Sequence, residues 1–136
     1  MKILVDTNVI IDTLAIREPF NKQSDIIFDL IVDEHIEGYM ITSSVTDVYY
    51  LLRRTSLSDT DCRSKIDGLL NIMQIIEVTK ADCLNALKSP IKDYEDALIF
   101  ICADRENLDF IVTRDDKFLN YKKTISPSKF LESIES

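Results

Sequence analysis

The chain opens on a short apolar run that ends in a carboxylate, Ile3-Leu4-Val5-Asp6, and the polar pair Thr7-Asn8 follows it. A continuous apolar run of this kind is typical of a parallel strand that is buried on both faces. The carboxyl end of such a strand is where open α/β sheets place their ligands. Asp6 therefore has two interpretations, as the cap of a following helix or as part of a functional site.

Strand-like and helix-like segments alternate along the whole chain. Apolar runs predict further strands near residues 39–42, 74–78, 110–113 and 124–125, and helices are predicted between the first four strands and after the fifth. Gly38 is expected to end a helix that runs from Lys22 to Ile36, because glycine is common just past the last helical turn. This order predicts an α/β three-layer sandwich with a mainly parallel central sheet of four to five strands flanked by helices.

The composition narrows the class of protein. With 136 residues, the chain is expected to form a single domain spanning 1–136. A formal net charge of −8 argues against a large basic face for nucleic acid, unless a metal ion supplies positive charge where a nuclease cleaves. Three scattered cysteines and a single histidine argue against a disulfide scaffold, a zinc site or a Ser/His nucleophile.

The hydropathy pattern bears on where the protein resides. The longest apolar runs are much shorter than the roughly 20 residues of a membrane-spanning helix. Met1-Lys2 leads directly into the first strand, which is unlike a secretory signal. We therefore expect a cytoplasmic protein that makes no membrane contact.

Four acids occur just after a predicted strand or in the first turn of a predicted helix. Asp6 follows the first strand and Asp115 follows the fourth. Asp47 is placed in the first turn of the helix after the second strand, with Ser43 or Ser44 as that helix's cap, and Asp96 in the first turn of an apolar helix. Taken singly, each acid is explained as a helix cap, a turn residue or a partner of a helix dipole.

Taken together, the four acids favour a shared site. The carboxyl ends of parallel strands meet at one edge of the sheet, so these side chains are expected to converge there. Carboxylates at close range repel one another, and a divalent cation removes that repulsion. Oxygen ligands suit Mg²⁺ or Mn²⁺, and such an ion can lower the pKa of a bound water and stabilise charge on a phosphodiester.

At this point the chain resembles the PIN domain family of metal-dependent ribonucleases, in particular the toxin subunits of VapBC-type toxin–antitoxin pairs. The stretches that carry the resemblance are Leu4-Val5-Asp6-Thr7-Asn8-Val9-Ile10, residues 42–54, Asp93-Tyr94-Glu95-Asp96-Ala97-Leu98 and residues 111–118. Their order and spacing cover almost the whole chain. The resemblance implies hydrolysis of RNA phosphodiester bonds with Mg²⁺ or Mn²⁺, an antitoxin partner and, as is common in the family, a homodimer.

The resemblance also implies roles for particular residues. The implied catalytic and metal-site acids are Asp6, Asp47, Asp96 and Asp115, the polar residues that orient them are Asn8 and Thr113, and Asp116 is an alternative to Asp115. Asp47 departs from the family pattern, because the family usually has the longer Glu at that position. The shorter side chain would reach a metal only through water or would weaken a second metal position.

Other interpretations stay open at this stage. The chain could be a catalytically weak or inactive PIN-like module that only binds a partner, and the shortened acid at Asp47 favours that alternative. A phospho-aspartate enzyme with Asp6 as nucleophile fits less well, because the haloacid-dehalogenase-like phosphatases place a second Asp where this chain has Asn8. The basic residues Arg53, Arg54, Arg114 and Lys117 are equally well read as RNA-backbone contacts or as solvated surface charge.

Overall fold

The computed structural model describes residues 1–135. Within that range the chain forms five strands, namely β1 (Lys2–Val5), β2 (Glu37–Ile41), β3 (Gln74–Ile76), β4 (Phe110–Val112) and β5 (Thr124–Ile125). All neighbouring strands pair in parallel, in the order β3-β2-β1-β4-β5. β1 is central, so its carboxyl end lies between those of β2 and β4.

Helices cover both faces of this sheet. Over residues 1–135 they are α1 (Thr7–Leu14), α2 (Asn21–Val32), α3 (Thr42–Arg53), α4 (Asp59–Ile72), α5 (Lys80–Leu87), α6 (Tyr94–Arg105) and α7 (Pro127–Glu135). Ile3 and Val5 of β1 pack into one core with α1–α4 and α7, whereas Leu4 packs into a second core with α5 and α6. The predicted three-layer α/β sandwich with a parallel sheet is confirmed. None of the helices in this range is long and apolar enough to cross a bilayer.

Gly38 lies inside β2, so the prediction that it ends a helix is wrong. α2 already ends at Val32, and the turn after it places Glu34 at a φ of 61°. A Cβ on Gly38 would lie 2.6 Å from Cδ1 of Ile31 and 2.9 Å from Sδ of Met73. The glycine is therefore required by the close approach of two apolar side chains to the strand.

We expect Gly38→Ala to lower the free energy of unfolding by about 1–3 kcal/mol, because an added methyl overpacks this contact. The two side chains are flexible, which keeps the cost within that range. Urea denaturation followed by circular dichroism measures it. Gly68→Ala is the matched control: it lies in α4 with open space around it and should gain about 0.5–1 kcal/mol. Equal stability of Gly38→Ala and the wild type would contradict the packing argument.

The start of α3 also differs from the prediction. The helix begins at Thr42, directly after β2, and its N-cap is Ile41 rather than Ser43 or Ser44. The hydroxyl of Thr42 donates to the carbonyl of Ile76 at 3.0 Å and accepts from the amide of Val78 at 3.3 Å. These bonds hold the strand-to-helix junction against the end of β3. Because the helix begins at Thr42, Asp47 lies in its second turn rather than in its first.

Candidate active site

Asp6 stands at the centre of the site, directly after β1. It is the N-cap of α1, since its Oδ1 accepts a hydrogen bond from the Thr7 amide at 2.8 Å. Its Oδ2 accepts from the Thr113 hydroxyl at 2.7 Å and from the Asn8 side-chain amide at 3.3 Å. Only 5% of the residue is exposed. Asp6 is therefore both a helix cap and a buried carboxylate at the head of the sheet.

Asn8 and Thr113 link α1 to the loop after β4. The Asn8 amide donates to the Thr113 hydroxyl at 3.3 Å, and its carbonyl oxygen accepts from the Arg114 backbone amide at 3.1 Å. The Thr113 hydroxyl also accepts from the Asp115 amide at 3.1 Å. Both side chains thus lie where they can orient Asp6 and hold the segment that carries Asp115.

Several acids line one cavity of about 300 Å³ at this edge of the sheet. They are Asp6, Asp93, Glu95, Asp96 and Asp115. Three of the four acids that were expected to converge are therefore brought together. Asp116 is exposed and lies outside the residues that line this cavity, so Asp115 is the acid that the loop turns inward.

Asp47 lies in a neighbouring cavity of about 230 Å³, beside Tyr50 and Arg54. Thr7, Leu51 and Glu95 line both cavities, so the two cavities adjoin, and the charge of Glu95 interacts with both Asp47 and Asp6. The structure thus places Asp47 next to the acid cluster rather than inside it.

The negative charges of the clustered acids repel one another. Burial raises the pKa of Asp6, and its hydrogen bonds from Thr113 and Thr7 offset part of that increase. Burial, with repulsion from Asp93 and Asp6, raises the pKa of Asp96 to about 7. The pKa of Glu95 is raised by burial and then by the nearby Asp47. The cluster is therefore unfavourable when fully ionised, and a bound cation would relieve it.

Five residues that line this cavity were not predicted as site residues, namely Thr7, Arg17, Leu51, Asp93 and Glu95. Asp93 is the N-cap of α6, since its Oδ1 accepts a hydrogen bond from the Asp96 amide at 3.0 Å. Glu95 was passed over although three acids fall within residues 93–96, which was the available signal. Thr7 is 8% exposed, and its hydroxyl has no hydrogen-bond partner within residues 1–135.

The donor set fits a hydrated divalent cation. In the described part of the chain, no three acidic, histidine or cysteine side chains are arranged to hold a metal ion directly. Mg²⁺ commonly keeps several waters and is held by one or two carboxylates, so it does not need three preformed protein ligands. The unpartnered Thr7 hydroxyl and the raised pKa of Asp96 are the observations that fit such an ion.

Arg114 is engaged within the protein and does not remain available to RNA. Its Nε and Nη2 donate to the two carboxylate oxygens of buried Asp12 at 2.5 and 2.8 Å. Its guanidinium carbon lies 3.8 Å from the centre of the Phe20 ring. The arginine therefore clamps the loop after β4 onto α1.

Comparisons with known proteins agree with this architecture. A family model described as PIN domain matches residues 2–117. Ribonuclease VapC1 of Aquifex aeolicus (strain VF5) is 30% identical over 122 residues, which cover 86% of this chain and 83% of that protein.

Solved structures share the fold. VapC20 of Mycobacterium tuberculosis, described as a sarcin-ricin loop cleaving toxin, superposes with a TM-score of 0.70 at 13% identity, covering 87% of this chain and 93% of that one. A toxin–antitoxin complex from Klebsiella pneumoniae gives a TM-score of 0.69 at 18% identity, covering 91% and 96% of the two chains. With the family model spanning most of its length, this chain belongs to the PIN domain family.

Proposed function

We propose that this protein is a Mg²⁺- or Mn²⁺-dependent endoribonuclease and the toxin of a toxin–antitoxin pair. The observation that carries the proposal is the single cavity in which Asp6, Asp96 and Asp115 meet at the carboxyl edge of the parallel sheet. The similarity to a protein named Ribonuclease VapC1 supports the ribonuclease activity. Structural similarity to a toxin–antitoxin complex supports the kind of partner.

Each residue has a distinct role in this proposal. Asp6 and Asp96 hold the cation, and Asp115 completes its surroundings directly or through water. Asp47 acts from the neighbouring cavity through water, because it does not line the cavity that holds the other three acids. When bound, the ion supplies a water of lowered pKa and neutralises charge on the scissile phosphate.

The protein groups around the cation prepare the site for it. Asn8 and Thr113 donate hydrogen bonds to Asp6 Oδ2 and so orient that carboxylate, and the bond from Thr113 offsets part of the rise in pKa that burial causes. Asp96 has a pKa of about 7, so in the metal-free protein it carries a proton part of the time at neutral pH. It must release that proton to bind the ion, so cation affinity is expected to rise with pH.

The antitoxin is expected to neutralise the acidic cavity with Arg or Lys side chains, because five acids and only one basic residue, Arg17, line it within the described part of the chain. A single domain spanning 1–136, a cytoplasmic location and a homodimer remain predictions of this proposal. A partner-binding module without activity is the second candidate, and the position of Asp47 outside the main cavity favours it.

Cleavage of a structured RNA by the purified protein distinguishes the two candidates. We expect cleavage with Mn²⁺, none with EDTA, and a loss of at least about 100-fold in Asp6→Asn, because that change removes a charge aimed at the reacting centre. Asp33→Asn, an exposed acid at the end of α2, is the matched control and should cleave normally. Cleavage that survives Asp6→Asn would rule out the metal nuclease. Inactivity of the wild type would favour the binding module.

A further inference from the structure

A larger cavity, of about 590 Å³, adjoins the acidic one. The two cavities share Asp93 and Asp96, so one extended ligand can occupy both. The remaining polar lining differs in character from the acid cluster. It consists of Lys92, Lys117, Asn120 and Tyr121. We call this space the lysine–tyrosine cavity.

The two lysines supply unpaired positive charge beside the acids. Lys92 precedes α6 and Lys117 follows β4, and both are exposed. Neither ammonium group takes part in an ion pair within residues 1–135, whereas Arg105 and Arg114 are bonded to buried carboxylates. In a chain with a net charge of −8, two such cations at the rim of an acidic pocket suit a phosphodiester backbone.

Tyr121 supplies an aromatic surface in the same cavity. Its ring centre lies 6.4 Å from that of fully buried Phe118, at an angle of 60°, which anchors the half-buried side chain. The Tyr121 amide donates to the Phe118 carbonyl at 3.2 Å, and the Phe118 amide donates to the Asp115 carbonyl at 3.0 Å. One hydrogen-bonded loop therefore fixes both an acid of the cluster and the tyrosine beside it.

We propose that the lysine–tyrosine cavity holds an unpaired nucleotide of the RNA substrate, next to the bond that is cleaved. This deepens the proposed ribonuclease function and rests on it. Lys92 and Lys117 contact the flanking phosphates, and the base stacks on Tyr121. The amide of Asn120 offers a donor and an acceptor to the base edge.

The geometry also selects a class of RNA. A base can stack on a protein ring only when it leaves its own helical stack, which is far easier in loops and single strands than in a duplex. The substrate is therefore an unpaired segment, such as a hairpin loop.

The test measures RNA binding separately from cleavage. Fluorescence anisotropy follows a labelled hairpin RNA with an unpaired loop, and a fully paired RNA of the same composition, in the Asp6→Asn background. Lys92→Gln/Lys117→Gln should weaken hairpin binding about 10-fold or more and flatten its salt dependence. The control Lys22→Gln/Lys129→Gln removes two exposed lysines of α2 and α7 and should leave affinity close to that of its parent.

Variants at Tyr121 test the stacking contact. Tyr121→Leu should lose about 5- to 100-fold in hairpin affinity, whereas Tyr121→Phe should keep it because the ring remains. In an otherwise wild-type background, the lysine variant should raise KM more than it lowers kcat.

The proposal would be overturned if the lysine variant bound the hairpin as tightly as the control did. Equal affinity for hairpin and paired RNA would overturn it as well. The proposed function has its own test. If Asp6→Asn cleaved RNA like the wild type, the metal-nuclease mechanism would be wrong, even if both cavity variants lost affinity for the hairpin. Loss of affinity in these variants would then still support the nucleotide subsite.

Discussion

Asp96→Asn is expected to stabilise the metal-free protein and at the same time to reduce RNA cleavage on the order of 10³-fold. The two effects have one cause, which is the crowding of carboxylates around Asp96. Only 9% of this residue is exposed, and repulsion from Asp93, Asp6 and Asp115 adds to the effect of its burial. Asn removes one of the repelling charges, and with it a proposed ligand of the cation.

The stability effect depends on pH in a defined direction. The folded pKa of Asp96, about 7, lies above the ordinary value of 3.8, so the folded state binds the proton more tightly than the unfolded state does. The contribution of protonated Asp96 to the free energy of unfolding is fully present below about pH 4 and is lost as the pH rises through about 7. Allowing for solvent screening, we expect Asp96→Asn to gain about 2 kcal/mol over the wild type at pH 8 without metal.

Thermal unfolding in EDTA at pH 5 and pH 8 measures this effect. The melting temperature of the wild type should be lower at pH 8 than at pH 5, and that of Asp96→Asn should differ much less between the two pH values. Adding Mn²⁺ should stabilise the wild type more than the variant, because binding to the folded state raises its stability. Asp116→Asn, an exposed neighbour outside the cavity, is the control for both readouts. A variant less stable than the wild type at pH 8 would contradict the crowding argument.

Arg114→Met is expected to lower the free energy of unfolding by about 3 kcal/mol, because it leaves the carboxylate of Asp12 buried without its partner. The Asp12 side chain is 1% exposed and that of Arg114 is 25% exposed. Met keeps an apolar contact with Phe20, so the decrease in the free energy of unfolding reflects mainly the lost ion pair. The variant should unfold about 10 °C below the wild type.

A double variant separates the ion pair from the rest of the site. Asp12→Leu/Arg114→Met removes both charges and should recover most of the lost stability, since replacing a buried pair by apolar groups is often neutral. Arg114→Met should also lower kcat about 10-fold, because the backbone of Arg114 holds Asn8 and lies beside Asp115. A double variant as unstable as the single one would show that the pair is not the cause.

Local signals were sufficient for much of the fold. The apolar run of β1 and the acid that ends it are contiguous in the chain, so a buried strand with Asp6 at its carboxyl end could be predicted without tertiary information. Alternation of strands and helices likewise predicted a parallel sheet, because parallel neighbours need a crossover between them. The site residues Asn8 and Thr113 were named through family resemblance, and the structure places both in contact with Asp6.

Errors arose where a distant segment decided the local structure. Gly38 follows a helical stretch, as a terminating glycine does, but it is needed in β2 because Ile31 and Met73 pack onto it. α3 begins at Thr42 because that side chain bonds to the backbone at Ile76 and Val78, about 35 residues away in the chain. Propensity and capping patterns contain no information on such contacts.

The sequence by itself determined which acids are available and that Asp6 and Asp115 follow strands of one parallel sheet. Only the tertiary structure decided how they group, because the helices and loops that carry them pack against one another independently of spacing in the chain. Packing turns Asp115 inward and Asp116 outward, adds Asp93 and Glu95 to the cluster, and leaves Asp47 in the next cavity. It also pairs Arg114 with Asp12 and places Lys92 and Lys117 beside the acids, where neither forms an ion pair within residues 1–135.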